Sequence, residues 1–110
     1  MKLAIVGSRN LTVENLDAYL PEGVTEIVSG GARGVDACAR MYAQAHGIPI
    51  TEFLPDYPRY GRGAPFRRNL EIATHADALL AFWDGQSRGT RHTIELCRAA
   101  GMPVTVILPA

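Results

Sequence analysis

The sequence predicts an α/β protein, a Rossmann-like three-layer α/β/α sandwich with a five-stranded parallel sheet. Strand-like and helix-like segments alternate five times, and no hairpin signal lies between them. This alternation is typical of parallel strands joined by right-handed crossovers, with helices on both faces. The glycine- and arginine-rich loops all follow predicted strands, so they should open at the carboxyl edge of the sheet, where such folds bind ligands. At 110 residues, we expect residues 1–110 to form a single domain.

Five short apolar runs predict the strands. The first is continuously apolar, as expected of a strand buried on both faces. The predicted strands cover residues 2–6, 26–28, 50–54, 77–83 and 104–108.

Four segments predict helices. Thr12 is a good N-cap, and Leu11 and Leu16 are placed as a hydrophobic staple for a first helix that ends near Leu20. The other three predicted helices carry apolar stripes at a spacing of three or four residues. Those stripes are Val35-Cys38-Ala39-Tyr42-Ala45, Phe66-Leu70-Ala73 and Thr93-Ile94-Cys97-Ala100. Residues 55–63 are too polar and glycine-rich for a regular element and predict a long loop.

The composition excludes several classes of protein. Hydrophobic residues make up 47% of the chain and charged residues 20%, which is typical of a folded domain. No apolar run approaches the ~20 residues that cross a bilayer, and the N-terminus lacks a signal-peptide layout. Cys38 and Cys97 fall among apolar residues on predicted helices, which favours core thiols in a reducing cytoplasm over metal ligands. We therefore expect a cytoplasmic protein without membrane contact, metal or cofactor.

One glycine-rich turn predicts an anion site. Residues 29–36 read S-G-G-A-R-G-V-D and join a predicted strand to a predicted helix. The first N–H groups of a helix have no intrahelical partner, and glycines let a bound group approach the backbone closely. Arg33 adds a planar cation suited to phosphate or carboxylate. The alternative is an ordinary tight turn between strand and helix.

The arginines point to the same edge of the sheet. Net charge is zero, and Lys2 is the only lysine among the eleven basic residues. All but two of the ten arginines fall in loops after strands or in the helical turns that follow. A neutral protein with this distribution is better suited to a compact anion than to a long polyanion. A GC-rich genome would explain the preference for arginine, but not its placement.

Two common nucleotide signatures are absent. The sequence has no G-x-x-x-x-G-K-[ST], and after the first strand it reads G-S-R-N in place of G-x-G-x-x-G. What remains are three turns between a strand and a helix, at residues 7–9, 30–34 and 87–90. Together they would offer backbone N–H groups, hydroxyls and guanidinium groups to one ligand.

These motifs together resemble the SLOG superfamily of Rossmann-like domains, and most closely its YspA/YpsA-related branch. The resemblance covers nearly the whole chain. It rests on G-S-R at 7–9, S-G-G-A-R-G-V-D at 29–36, D-Y-x-x-Y-G-x-G-A at 56–64, Arg68-Asn69, and D-G-x-S-x-G-T at 84–90. The resemblance implies binding of a nucleotide or a nucleotide-derived ligand. Among its branches, the LONELY GUY phosphoribohydrolases cleave the N-glycosidic bond of nucleoside monophosphates, and DprA/Smf binds single-stranded DNA.

The resemblance also implies roles for individual residues. Gly30, Gly31 and Gly34 match the first glycine turn. The second turn of the enzymes, which holds the phosphate, is matched here by residues 87–90, and Arg68 matches an arginine on their third helix. With the residues of the turns themselves, the predicted ligand-binding residues are Gly7, Ser8, Arg9, Ser29, Gly30, Gly31, Arg33, Gly34, Asp36, Arg68, Asn69, Asp84, Ser87, Gly89 and Thr90.

The catalytic acid of the enzymes has no direct counterpart. In the enzymes a glutamate follows the threonine of the second turn by two or three residues, where this chain has His92 and Thr93. Glu95 is the nearest glutamate, but its spacing from Arg91 is also that of a surface ion pair. Asp84 ends a strand at the ligand edge and is the better candidate, unless it only orders its turn. The candidate catalytic residues are Asp84, Glu95 and Arg68.

Several alternatives remain open. Asp36, at the start of its helix, is expected to favour the helix dipole more than to act as a base. Tyr57 and Tyr60 could stack a base or could cover the core. Neutral charge makes a nucleic-acid partner a weak alternative to a nucleotide-like small molecule. A two-fold homodimer is compatible with a small sheet, although nothing in the sequence determines it.

Overall fold

The computed structural model describes residues 1–109 and shows a five-stranded, all-parallel sheet with strand order β3-β2-β1-β4-β5. The strands are β1 Lys2–Gly7, β2 Glu26–Ser29, β3 Ile50–Glu52, β4 Ala78–Phe82 and β5 Val104–Ile107. The helices are α1 Val35–His46, α2 Tyr57–Tyr60, α3 Ala64–His75 and α4 Arg88–Ala99. Two 3₁₀ turns cover Leu16–Ala18 and Gly61–Gly63. The α/β fold predicted from the sequence is confirmed.

The central strand β1 separates two hydrophobic layers. Successive side chains of a strand point to opposite faces, so Leu3 and Ile5 face one layer while Ala4 and Val6 face the other. The first layer contains the buried side of α1, including Val35 and Ala39. The second layer contains the buried sides of α3 and α4, including Ile72, Ile94 and Cys97. The sheet therefore lies between two helical layers, as predicted.

The connection from β1 to β2 corrects the sequence interpretation. Residues 12–20 were expected to form a helix, but the structure has only the 3₁₀ turn Leu16–Ala18 there. A helix this short depends on tertiary packing for its stability. Here Leu16 is buried and Leu11, Val13 and Leu20 pack against the core from an irregular chain, so no α-helix is needed to cover this part of the sheet.

The buried face of α3 also differs from the prediction. Phe66 and Leu70 were placed on the core stripe, yet both are exposed. The helix instead buries Ala64, Arg68, Asn69, Ile72 and Ala73. The prediction failed because it assumed that the buried side chains of α3 would be apolar, whereas two of them are polar and belong to a cavity.

Smaller corrections concern element ends and a loop. Ala45 and Ala100, at the ends of two predicted stripes, are exposed. The predicted loop 55–63 contains α2 and a 3₁₀ turn, because the Asp56 carboxylate accepts a hydrogen bond from the Arg59 N–H (3.2 Å) and caps the helix. Across residues 1–109, the structure has no helix with the length and apolar character needed to span a bilayer.

Candidate functional site

A cavity of about 710 Å³ opens at the carboxyl ends of β1, β2 and β4. The chain runs outward from β1 to β2 and β3 on one side, then returns to place β4 and β5 on the other. Parallel sheets bind ligands at such a point of reversal, because neighbouring loops diverge there and leave a crevice. The volume lies within the ~300–1,000 Å³ typical of small-molecule sites.

Most of the predicted ligand-binding residues line this one cavity. Those that do are Gly7, Ser8, Arg9, Gly30, Arg33, Asp36, Arg68, Asn69, Asp84, Ser87, Gly89 and Thr90. The cavity therefore brings together all three glycine turns, which come from separate crossovers of the sheet.

Three predicted residues do not line the cavity, and each has a structural role. The Ser29 hydroxyl is buried and donates a hydrogen bond of 2.8 Å to the carbonyl oxygen of Ile5. Gly31 has a φ of +70°, and a Cβ there would overlap the side chain of Leu54. Gly34 has a φ of +74°, and its Cβ would lie 2.5 Å from the carbonyl oxygen of Arg9. These three residues fix the conformation of the loops around the cavity but do not line it.

Only three of the arginines expected at this edge line the cavity, namely Arg9, Arg33 and Arg68. The other loop arginines have different surroundings. Arg59 and Arg67 lie over the ring of Tyr60, at 5.2 and 5.0 Å from its centroid. Fewer guanidinium groups therefore meet at the cavity than the sequence predicted: three arginines line it, where eight were expected at this edge of the sheet.

Arg68 is built into the cavity wall. Its side chain is only 9% exposed, and its Nη1 donates a 2.6 Å hydrogen bond to the carbonyl oxygen of Gly30. Its Nε donates to Asn69 Oδ1 at 2.9 Å. Burial lowers the pKa of Arg68, and the nearby Asp36 carboxylate opposes that shift. The guanidinium thus holds a fixed positive charge beside the glycine loop after β2.

Asp36 places a buried carboxyl group beside that cation. The residue is 5% exposed, and its Oδ2 accepts a 3.2 Å hydrogen bond from the Ala32 N–H. Its Oδ1 is buried and has no hydrogen-bond partner among the described residues. Burial raises the pKa of Asp36, while the Ala32 N–H and the charge of Arg68 act in the opposite direction. Asp36 was expected only to favour the dipole of its helix. Its burial adds a second effect, because it makes the carboxyl easier to protonate.

Asp84 orders the turn between β4 and α4. Its Oδ1 accepts hydrogen bonds from the N–H groups of Gln86 (2.8 Å) and Ser87 (2.7 Å). These two backbone bonds lower the pKa of Asp84 to about 2. A carboxyl with that pKa is a poor proton donor or acceptor at neutral pH. The geometry of Asp84 therefore supports its role in the turn over a role as the catalytic acid.

The loops after β1 and β4 are tied together through hydroxyl groups. The Asp84 N–H donates a 3.0 Å hydrogen bond to Ser8 Oγ, and Ser8 Oγ lies 3.0 Å from Ser87 Oγ. Ser87 precedes α4 but makes no side-chain cap to the helix. The first N–H groups of α4 thus lack a side-chain cap at the position where Gly89 and Thr90 line the cavity.

Glu95, the third catalytic candidate, does not line the cavity. Its Oε1 lies 2.9 Å from Arg91 Nε in an exposed ion pair along α4. The spacing of four residues puts the two side chains on the same outer side of the helix. The ion-pair alternative therefore describes the surroundings of Glu95 in this structure, and the geometry gives no support to its role as a catalytic acid.

The sequence interpretation missed several cavity residues. They are Val6, Asn10, Ala32, Pro65, Phe66, Ile72 and Thr93. The signal that could have found those on α3 was Asn69. A helix that brings residue 69 to a site also brings residues 65, 66 and 72, which lie three or four positions away on the same face.

Comparison with known proteins agrees with this architecture. The family model of the YspA, cpYpsA-related SLOG family, YAcAr, matches residues 1–60. The chain is also similar to the Gene 61 protein of Mycobacterium phage D29, with 39% identity over 84 residues that cover 71% of this chain and 67% of the phage protein. No solved structure matches significantly. Because the family model spans more than half of the described chain, this protein belongs to the YspA, cpYpsA-related SLOG family.

Proposed function

We propose that the protein binds a nucleotide or a nucleotide-derived phosphorylated small molecule in the cavity, as a sensor or binding module. The observation that carries the proposal is the convergence of Arg9, Arg33 and Arg68 on one cavity. The start of α4 adds N–H groups and the positive end of its dipole to the same wall. Membership of the SLOG family suggests nucleotide-related binding or processing and supports the same proposal.

The charge balance of the cavity favours an anion of low charge. Three guanidinium groups line it against two carboxyl groups, Asp36 and Asp84. Asp84, whose pKa is lowered to about 2, stays ionised at neutral pH and offsets one of the three cations, and Asp36 offsets a second when it is ionised. A mononucleotide phosphate, with one to two negative charges, matches this balance better than a triphosphate.

Isothermal titration calorimetry tests the proposal. The panel contains nucleoside mono- and diphosphates, cyclic nucleotides and ADP-ribose, with the unphosphorylated nucleosides as chemical controls. We expect at least one phosphorylated compound to bind and its nucleoside to bind much more weakly, because a charge-assisted hydrogen bond is stronger than a neutral one. A folded protein that binds nothing across the panel would disprove the proposal.

A matched pair of variants locates the binding site. Arg33→Ala removes an exposed cation from the cavity wall, and Arg98→Ala removes an exposed cation from the last turn of α4, away from the cavity. Loss of a charge-assisted contact of ~1.5–3 kcal/mol should weaken binding by about 10- to 100-fold in Arg33→Ala. Arg98→Ala should bind as the wild type does. Equal affinity of both variants would place the ligand elsewhere.

Hydrolysis of the N-glycosidic bond of a nucleoside monophosphate is the second candidate function. The observation that favours it is Asp36, a buried cavity carboxyl with a raised pKa, which is the environment of a general acid. Incubation with nucleoside monophosphates, followed by chromatography for free base, tests it. Asp36→Asn keeps an acceptor for the Ala32 N–H, so loss of base release with retained binding would support Asp36 as the acid.

A homodimer is a separate part of the proposal. The exposed apolar side chain Leu70, on α3, is a candidate for contact with a second copy. Sedimentation velocity at two protein concentrations tests it, and a monomer at both would exclude a stable dimer.

A further inference from the structure

Phe66 is the aromatic side chain in the cavity wall. We propose that its ring is the surface on which the planar base of the ligand stacks, so that the site selects a base-bearing nucleotide over a simple sugar phosphate. This inference rests on the proposed function. The proposed function assigns contacts to the phosphate of the ligand, and the inference assigns a contact to its base.

The position of Phe66 carries the inference more than its exposure does. The side chain is 52% exposed, but single exposed apolar residues are common on protein surfaces. Leu70, one turn later on α3, is 44% exposed and does not line the cavity. Of these two exposed apolar residues, Phe66 therefore presents its surface to the ligand space, while Leu70 does not.

The ring lies close to the polar end of the cavity. Phe66 and Asn69 are three residues apart on α3, which separates their Cβ atoms by about 5–6 Å. The Asn69 amide donates to the carbonyl oxygen of Gly89 at 3.3 Å, in the first turn of α4. If the phosphate of a ligand contacts this turn, the Phe66 ring therefore lies about one chemical group further along the ligand.

Neighbouring side chains hold the Phe66 ring in place. The ring of His92 meets it edge-on, with centroids 4.9 Å apart and an interplanar angle of 85°. His92 is itself held by Asn69, whose Nδ2 lies 3.2 Å from the His92 Nδ1. A platform fixed before the ligand arrives loses less conformational freedom on binding, which favours stacking.

The tyrosines expected as alternative stacking residues are placed differently. Tyr57 and Tyr60 do not line the cavity. Tyr60 already has two cations over its ring, Arg59 and Arg67. The base-stacking role that the sequence suggested for this loop is therefore better supported for Phe66.

Calorimetric affinities of two ligands for three proteins test the inference. The ligands are the nucleoside monophosphate that binds tightest and ribose 5-phosphate, which lacks the base. The proteins are the wild type, Phe66→Ala and the matched control Leu70→Ala. Loss of a stacked base contact predicts about a tenfold or greater loss of affinity for the nucleotide in Phe66→Ala. The affinity for ribose 5-phosphate should change by less than about twofold, and Leu70→Ala should change neither.

A fourth protein, Phe66→Trp, checks the aromatic requirement. It should retain nucleotide binding, because its ring also stacks on a base. Equal weakening of both ligands in Phe66→Ala, or no weakening of either, would overturn the inference while leaving phosphate binding intact. Equal affinity of the wild type for nucleotide and ribose 5-phosphate would also overturn it. Absence of any binding by the wild type would instead disprove the proposed function, and the inference with it.

Discussion

Arg68 Nη1 lies 2.6 Å from the carbonyl oxygen of Gly30 and donates a hydrogen bond to it across 38 positions of the chain. This bond joins α3 to the loop after β2. A Cβ on residue 30 would lie 2.5 Å from the same Nη1, so the close approach requires glycine. Because of this contact, Arg68 belongs both to the cavity wall and to the folded core.

Arg68→Ala should destabilise the protein by about 2–4 kcal/mol, because the Gly30 carbonyl loses its partner and the buried alkyl stem is removed. Urea unfolding followed by circular dichroism measures the change. The control is Arg98→Ala, an exposed arginine on α4, which should stay within about 0.5 kcal/mol of the wild type. Equal stability of the two variants would show that the contact with Gly30 contributes nothing.

Gly34→Ala should cost about 2 kcal/mol or more. Residue 34 has a φ of +74°, which L side chains rarely adopt, and an added Cβ would meet the backbone of Arg9 at 2.5 Å. Gly63→Ala is the control, because its φ is −79° and nothing lies within 4 Å of its added Cβ. We expect that variant to be as stable as the wild type or slightly more stable. Melting temperatures compare the three proteins directly, and a tolerated Gly34→Ala would contradict the close packing.

Acid should weaken the turn after β4. The folded pKa of Asp84 is lowered from 3.8 to about 2, so its ionised form stabilises the native state above pH 4. That contribution is lost as the pH falls from about 4 towards 2. Asp84→Asn keeps an acceptor but has no charge to titrate, so the stability difference between the wild type and this variant should shrink over that range. Thermal melts at half-unit pH steps measure it, and a constant difference would refute the assignment.

Asp36 should show the opposite dependence on pH. Its folded pKa is raised from 3.8, so the native state binds more protons than the unfolded state in the window above 3.8. The wild type should therefore lose stability through this group as the pH rises through that window. Asp36→Asn cannot ionise, so its unfolding free energy should improve relative to the wild type between pH 3.5 and 8, in a series of urea titrations. If the difference in unfolding free energy between the two proteins stays constant over this range, burial does not shift the pKa of Asp36.

The strands were predictable because their signal is local. A run such as residues 2–6 is apolar throughout, and burial on both faces of a parallel sheet requires that pattern. The secondary structure of segments without a strong local signal was predicted less accurately. The capping residue Thr12 predicted a helix that is absent, because a weak preference at one position yields to the packing of Leu16 against the core.

The cavity was partly predictable for the same reason. Glycine turns after three strands must meet at one edge if the strands are parallel, so residues 7–9, 30–34 and 87–90 could be grouped from the sequence. The side of α3 that faces them could not be assigned, because Phe66 and Leu70 form an apolar pair that resembles a core stripe. In the structure Arg68 is buried beside Gly30, so Leu70 is exposed and Phe66 lies at the cavity and not in the core.

The sequence by itself determined the parallel sheet, the edge at which its loops open and the glycine turns at that edge. All of these follow from local hydrophobicity and from the conformational freedom of single residues. The tertiary structure decided which of the arginines reach the cavity, that Asp36 is buried next to a cation, and that Phe66 lines the cavity. Those features depend on the rotation of α1 and α3 about their axes and on the conformations of the loops that hold Arg9 and Arg33. Long-range packing sets both, and no local pattern encodes them.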